Sequence, residues 1–403
     1  IDNCQRNELR WFMDIMDGNP VDPSSDDHPD LALDPEGLLE EIPWYSAVGN
    51  HDIMVQGNFP PNLVNLLFGL NPVPGEAEVL DLSGFISEHF HTTTSLQGHG
   101  FNLSANLNDG YYAFDPRPGL RFVVLNTAND DWLAQATGEI GNVVPSLDFI
   151  LGYLSRITEG TLGGVANGEL DPRQFYWMVE DIEANRDKLV VVFAHHATDS
   201  FMDPVMASRV EKALRDSPNV IAYVAGHSHT HKVEPEGSGM NGYWKIKTAS
   251  LADMPSEGRA IEVVDDGDGT GSIVLTCVQH DDEEYLETAA SDPQADPGSA
   301  GTEIDRNVIL KFAIPPAAAR TIRGAYGTPG PADPEDGLSN PVSPDDYVEV
   351  ARHRGSYLAE NSAGKKLLYL EGDAYQRGYA EGNLCPEGVY RMTHEFVDAL
   401  IFE

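Results

Sequence analysis

Apolar positions along this chain follow two rhythms. One has the period of a helix: Leu9, Phe12, Met13 and Met16 recur over residues 5–17, and Gly18-Asn19-Pro20 ends them. Phe175, Met178, Val179 and Ile182 repeat the pattern after Asp171-Pro172, where Asp suits an N-cap and Pro a first helical position. The spacing predicts helices over 5–17, 171–185 and 204–215, and a last one over 390–401. The other rhythm is a short, continuous run of β-branched and aromatic residues, the mark of a buried strand. Residues 42–48, 189–194, 220–225, 243–248, 259–264, 272–278, 307–314 and 367–370 read this way. Tyr111–Phe114 and Leu120–Leu125, joined through a Pro116–Gly119 turn, predict a β-hairpin. Helix and strand alternate over 171–225, which predicts a layered α/β domain with parallel pairing.

The polar residues that close three of these runs are ligand types. Ile42–Val48 leads into Gly49-Asn50-His51-Asp52, Val190–Ala194 into His195-His196, and Val220–Ala225 into Gly226-His227-Ser228-His229. Sheets of α/β proteins place their chemistry at strand ends. Asn50 offers a neutral oxygen, and His195, His227 and His229 offer neutral imidazoles, a donor set suited to Zn, Fe or Mn. His227 and His229 stand at i, i+2 and can serve two neighbouring ions. Two ions would hold both oxygens of a phosphoryl group and lower the pKa of a bound water. His51 would protonate a leaving alkoxide or stabilise charge on the phosphoryl oxygens. One such histidine alone reads as a packed polar residue; three motifs in one α/β frame read as a metal site.

Other candidates read as structure. Asp26-Asp27-His28 is formally a D-x-H triplet, but no apolar strand precedes it, so it reads as loop charge. His89, His91 and His99 fall in the irregular stretch 53–110 and read as surface histidines. Asp265-Asp266-Gly267-Asp268-Gly269 resembles half a calcium loop without the distal Glu, and reads as a hairpin turn. Cys4, Cys277 and Cys385 are odd in number and far apart, with no CxxC; they read as packed thiols.

Charge narrows the partners. The 403 residues carry 65 acidic and 25 basic side chains, a formal net charge of −40. Such a surface repels nucleic acid and anionic membranes, so neither is expected as a partner. It reads as a solvated acidic surface, with adaptation to high salt as the other reading. No run of about 18 apolar residues predicts a transmembrane helix. Ile1-Asp2-Asn3-Cys4 has no initiator Met or signal core, and reads as the inside of a longer protein. Localisation therefore stays open, a secreted or periplasmic setting being slightly favoured, and the oligomeric state stays open too. Pro, Gly and Asp dominate 288–302 and 315–346, which read as linkers. The expected organisation is a domain over 1–285, a strand-containing linker over 286–346 and a C-terminal α+β segment over 347–403.

Gly49-Asn50-His51-Asp52, His195-His196 and Gly226-His227-Ser228-His229 resemble the last three motifs of the calcineurin-like metallophosphoesterases, over about residues 1–280. The resemblance implies an α/β fold, a four-layer α/β/β/α sandwich with two mixed sheets. It implies hydrolysis of small phosphoric mono- or diesters by two metal ions (Mn, Fe or Zn) and a metal-bound hydroxide. Carried over, Asn50, His195 and His227 would ligate one ion, His229 the other, and His51 would be the catalytic histidine. Ala197 stands where the family's H-x-P pattern has proline. The family's earlier D-x-H and G-D motifs have no counterpart in place, and Asp2 matches the second acid of a GDxxD pattern. The expectation is a chain that begins inside the domain and is inactive or weakly active as given. A nucleotidase or pyrophosphatase on the same site, or a catalytically dead binding module, are the alternatives. A second resemblance, over Leu368–Gly382, is to the opening of acyltransferase-like or phospholipase-B-like N-terminal-nucleophile hydrolases; Cys385 is not their nucleophile.

Overall fold

The computed structural model describes residues 4–24, 42–57, 78–128, 167–238, 241–279 and 297–327, with short pieces at 32–35, 37–38 and 290 and strands at 348–351, 356–360 and 366–370. The expectations at Asp2, Asp26-Asp27-His28, Cys385, residues 371–382 and the 390–401 helix lie outside the described residues. By internal contact the chain divides into two compact units. The first is Ile1–Ala113, Val124–Gln174 and Ala194–Met206; the second is Phe114–Val123, Phe175–Phe193 and Ala207–Glu403.

In the first unit, helix α1 (Arg6–Asp17) buries Leu9, Met13 and Met16, the stripe its spacing predicts. Gly18 ends it in the left-handed conformation, its N–H returning to the carbonyls of Asp14 and Ile15. Arg6 and Arg10 on α1 both reach Glu88 at 2.8 Å. Glu88 closes helix α3 (Leu82–Glu88), which Asp81 caps by accepting from Gly84 N at 2.7 Å. Between them lies the one-turn helix α2 (Asn50–Ile53).

Two expectations fail here. Residues 42–48 pair in no ladder. Their backbone is held from the side instead: Ser46 N donates to His99 O at 3.0 Å, and Tyr112 Oη donates to Ser46 O at 2.8 Å. Only Trp44 and Val48 of the apolar run are buried, and Ile42 is exposed; the run has the composition of a strand without its pairing. His89 and His99 are not surface residues but fully buried. They pack in a ring cluster with Trp44, Phe85 and Phe101, His99 lying flat on Trp44 with centroids 3.3 Å apart. His91 remains at the surface, beside Glu88.

The described residues form two mixed sheets, most of whose residues belong to the second unit. The first has strand order β1-β2-β3-β4-β6-β5: β1 Tyr112–Arg117, β2 Leu120–Val124, β3 Leu189–Ala194, β4 Val220–Ala225, β5 Lys232–Ser238 and β6 Asn241–Lys247. β4 runs parallel to β6, and β5 antiparallel to it. The second has order β11-β12-β10-β9-β8-β7, with β7 Glu257–Asp265, β8 Thr270–Gln279, β9 Val308–Ala313, β10 Val348–Ala351, β11 Ser356–Glu360 and β12 Lys366–Leu370. β7, β8 and β9 pair antiparallel, whereas β10 runs parallel to both β9 and β12.

The two sheets share one core. Leu189, Val191, Ile221, Trp244 and Ile246 of the first pack with Ile261, Ile273, Leu275, Val308 and Leu310 of the second. Trp244 Nε1 donates across to Lys311 O at 2.9 Å. Because strand side chains alternate, Val190 and Val192 face the other way, and they are buried too. Helices α4 (Pro172–Ala184) and α5 (Pro204–Arg215) bury Met178, Ile182, Val210 and Leu214. α4 is tied to this sheet by Arg121, which pairs with Asp181, and by Asn219 donating to Ile182 O. α5 is tied to it by Lys245 and Glu211 at 3.2 Å.

The stretch from Pro315 read as a linker opens with helix α6 (Pro316–Tyr326). Ala318 and Ile322 join the shared core, and Ile322 meets Gly119 so closely that a Cβ there would lie 2.5 Å away. Prolines at a helix start cost no hydrogen bond, and the alanines after them are strong helix formers. The composition that signals a linker is here the composition of a helix N-terminus.

The Asp265–Gly269 turn spends its carboxylates on protein groups. Asp265 takes Arg323 at 3.1 Å, and Asp266 takes Ser272 at 2.8 Å and the buried Lys311 at 3.3 Å. Asp268 accepts from Thr270. Cys4 is a buried free thiol pushed up to about 12 by desolvation, and Cys277 a half-buried one raised for the same reason. Among the described residues no helix is long and apolar enough to cross a membrane.

Candidate metal centre

Gly49 follows the 42–48 segment and caps α2, so Asn50 sits on a helical turn rather than in a loop. Asp52 Oδ2 accepts from Gly49 N at 2.7 Å and closes that turn. Asn50 is buried, and its amide nitrogen donates to Gly57 O at 2.9 Å. A carbonyl only accepts, so this bond decides which end of the amide faces it. The amide oxygen is thereby turned to His195, whose Nε2 lies 2.8 Å away.

The backbone around this pair is shaped by two glycines. Gly57 has φ +65°, and a Cβ there would come within 2.4 Å of Asn50 Nδ2 and 2.5 Å of the His51 ring. A Cβ on Gly49 would meet the His195 ring at 3.0 Å. Asn50, His51 and His195 are thus seated on bare backbone. His195 directly follows β3. The next residue, His196, is buried and turned to Thr127, with Nδ1 and Oγ1 3.0 Å apart. In the first unit, then, Asn50, His51 and His195 come together.

In the second unit, His227 and His229 follow β4 on a tight loop. Both adopt left-handed backbone, φ +63° and +48°, which is uncommon outside glycine. Ser228 N donates to Gly226 O at 2.7 Å and Thr230 Oγ1 to Ser228 O at 2.8 Å, which holds the loop. His229 Nδ1 is bonded to Asp253 Oδ2, a partner that sequence reasoning missed. Asp253 lies 24 residues on, in a loop without periodicity, so nothing local marks it.

A second cluster of ligand-type atoms, His231, Glu257 and Cys277, does not suit a metal. Arg259 Nη2 at 2.7 Å and Ala249 N at 3.2 Å both donate to His231 Nδ1. The ring hydrogen therefore sits on Nε2, 3.0 Å from Glu257. Binding an ion through Nε2 would leave the ring without a hydrogen, and Arg259 and Arg306 already supply the positive charge. Burial, chiefly, holds the His231 imidazolium below its ordinary range. The cluster ties β7 to the loops beside it.

The buried histidines of the first unit are neutral donors. His89 Nδ1 lies 2.9 Å from Phe85 O, and His99 Nδ1 3.2 Å from Trp44 O. Desolvation lowers His89 to about 3 and His99 to about 4.

Compared with known proteins, the chain matches no family model and no curated protein. Among solved structures it is similar to a dimetal phosphatase from Danio rerio at 15% identity and a TM-score of 0.32, over 58% of this chain and 69% of that one. A likeness at that level does not establish a shared fold.

Proposed function

We propose that this chain carries a two-metal centre for hydrolysis of phosphoric mono- or diesters of small molecules, with weak or no activity in the chain as given. Asn50, His195 and His227 hold one ion, His229 the other, and His51 is the catalytic histidine. The observation that carries the reading is the 2.8 Å approach of Asn50 Oδ1 and His195 Nε2, with the amide locked from behind by Gly57. An amide oxygen and an imidazole nitrogen held side by side are donor types that Mn, Fe or Zn accepts. Bound ions would polarise a phosphoryl oxygen and acidify a water.

The chain's own groups do the rest. Asn50 keeps its oxygen presented because its nitrogen is already engaged. At 2.8 Å the amide oxygen accepts from His195 Nε2, so to ligate His195 would move that hydrogen to Nδ1, which lies beside Gly49. His51, one residue past Asn50 and half-exposed, delivers a proton to the leaving alkoxide. The four-layer arrangement belongs to the same proposal; the core shared by two mixed sheets, and α4 and α5 on the far face of the first, support it. The acidic surface favours small substrates over polyanions.

The test is metal content after incubation with Mn²⁺ or Zn²⁺ and dialysis, with hydrolysis of p-nitrophenyl phosphate and its bis-ester measured on the same samples. Metal retained by the wild-type chain and lost in Asn50→Ala is the expected result. A chain that retains no metal, or retains it equally in Asn50→Ala, overturns the reading.

A further inference from the structure

Asp253 has no place in the ligand set above, yet its carboxylate is bonded to one of that set's histidines. Its loop is built to hold it there. Ser250, almost fully buried, accepts from Ala252 N at 3.1 Å and Asp253 N at 3.4 Å. Ser256, fully buried, returns to Asp253 O from its N–H at 2.5 Å and its hydroxyl at 3.2 Å. Glu257 N donates to Ser250 O at 3.1 Å and closes the loop onto the start of β7. The backbone of Asp253 is therefore held at both its N–H and its carbonyl, while its side chain is exposed.

We propose that Asp253 is a positioning residue that sets the tautomer and ring direction of His229, and through them the second ion of the centre; the metal part rests on the phosphoesterase reading. A carboxylate oxygen accepts, so His229 Nδ1 carries the hydrogen and donates it to Asp253. In the neutral ring the lone pair then belongs to Nε2, the nitrogen through which the ring would ligate. His229 needs this help more than a core histidine would. Its side chain is 37% exposed. Ligating histidines commonly donate their other N–H to a carboxylate, and losing that partner weakens metal binding about 10–100-fold.

The test uses the full chain with selectively ¹⁵N-labelled histidine, and Mn²⁺ titrated alone and followed by electron paramagnetic resonance. In the wild type, His229 Nε2 is expected to resonate as an unprotonated, pyridine-type nitrogen. Asp253→Ala should mix the tautomers and weaken one Mn²⁺ about 10–100-fold, leaving the Asn50-dependent ion in place. Asp253→Asn, whose amide oxygen still accepts, should restore most of both signals. Mn²⁺ binding and an Nε2 signal that do not change in Asp253→Ala overturn the proposal. A wild-type chain that binds no Mn²⁺ overturns the phosphoesterase reading, and the metal role of Asp253 with it.

Discussion

Asn50 and His195 stand 145 residues apart in the chain, and their side chains meet at 2.8 Å. The contact depends on a third residue that touches only one of them through its backbone. Gly57 O takes the Asn50 amide nitrogen, and this turns the oxygen towards the histidine.

Gly57→Ala is the sharpest test of that dependence. The new Cβ would lie 2.4 Å from Asn50 Nδ2 and 2.5 Å from the His51 ring, on backbone at φ +65°. The conformation costs about 1–3 kcal/mol, and both side chains must also move. Chemical denaturation should register the loss of stability, and metal content should fall to that of Asn50→Ala. A variant with wild-type stability and metal content would mean that the glycine is incidental.

Acid should unfold the first unit through His89 and His99. Both are held neutral by burial, at about 3 and about 4 against an ordinary 6.5. The folded values lie below the unfolded ones, so the unfolded chain binds more protons between them. Stability is therefore complete above about pH 6.5 and falls as the pH drops towards the folded values. The two together are worth on the order of a few kcal/mol. Urea titrations at a series of pH values between 7 and 4.5 should show the fall, and His89→Gln with His99→Gln should flatten it. An unchanged slope in the double variant would place the acid sensitivity elsewhere.

Salt should stabilise the chain. With 65 acidic against 25 basic side chains, the folded state brings like charges together. Raising ionic strength from 0.1 M to 1 M shortens the screening length from about 10 Å to about 3 Å. Thermal melts in KCl should therefore shift upward across that range. A melting temperature that falls or stays level would show that the ion pairs, such as Arg121–Asp181 and Arg6–Glu88, outweigh the repulsion.

Much of the second unit was legible along the chain. The strands 189–194 and 220–225 and the helix 204–215 have the bounds their periodicity predicts. These elements are buried on continuous faces, so the pattern of neighbours in sequence carries the whole signal. The same pattern placed His195, His227 and His229 just past strand ends, because an apolar run that stops at histidine is visible locally.

Tertiary contact alone decided the rest. Residues 42–48 have a strand's composition, but pairing needs a partner, and Ser46 and Tyr112 supply side-on bonds instead. His99 is buried because Trp44, 55 residues away, lies flat against it, which no local spacing records. Pro316 begins a helix and not a linker because Ile322 finds Gly119 to pack on. Residue types and their local rhythm are properties of the sequence. Burial, tautomer and the direction of a lone pair are set by atoms that only folding brings near, as Gly57 does for Asn50 and Asp253 for His229.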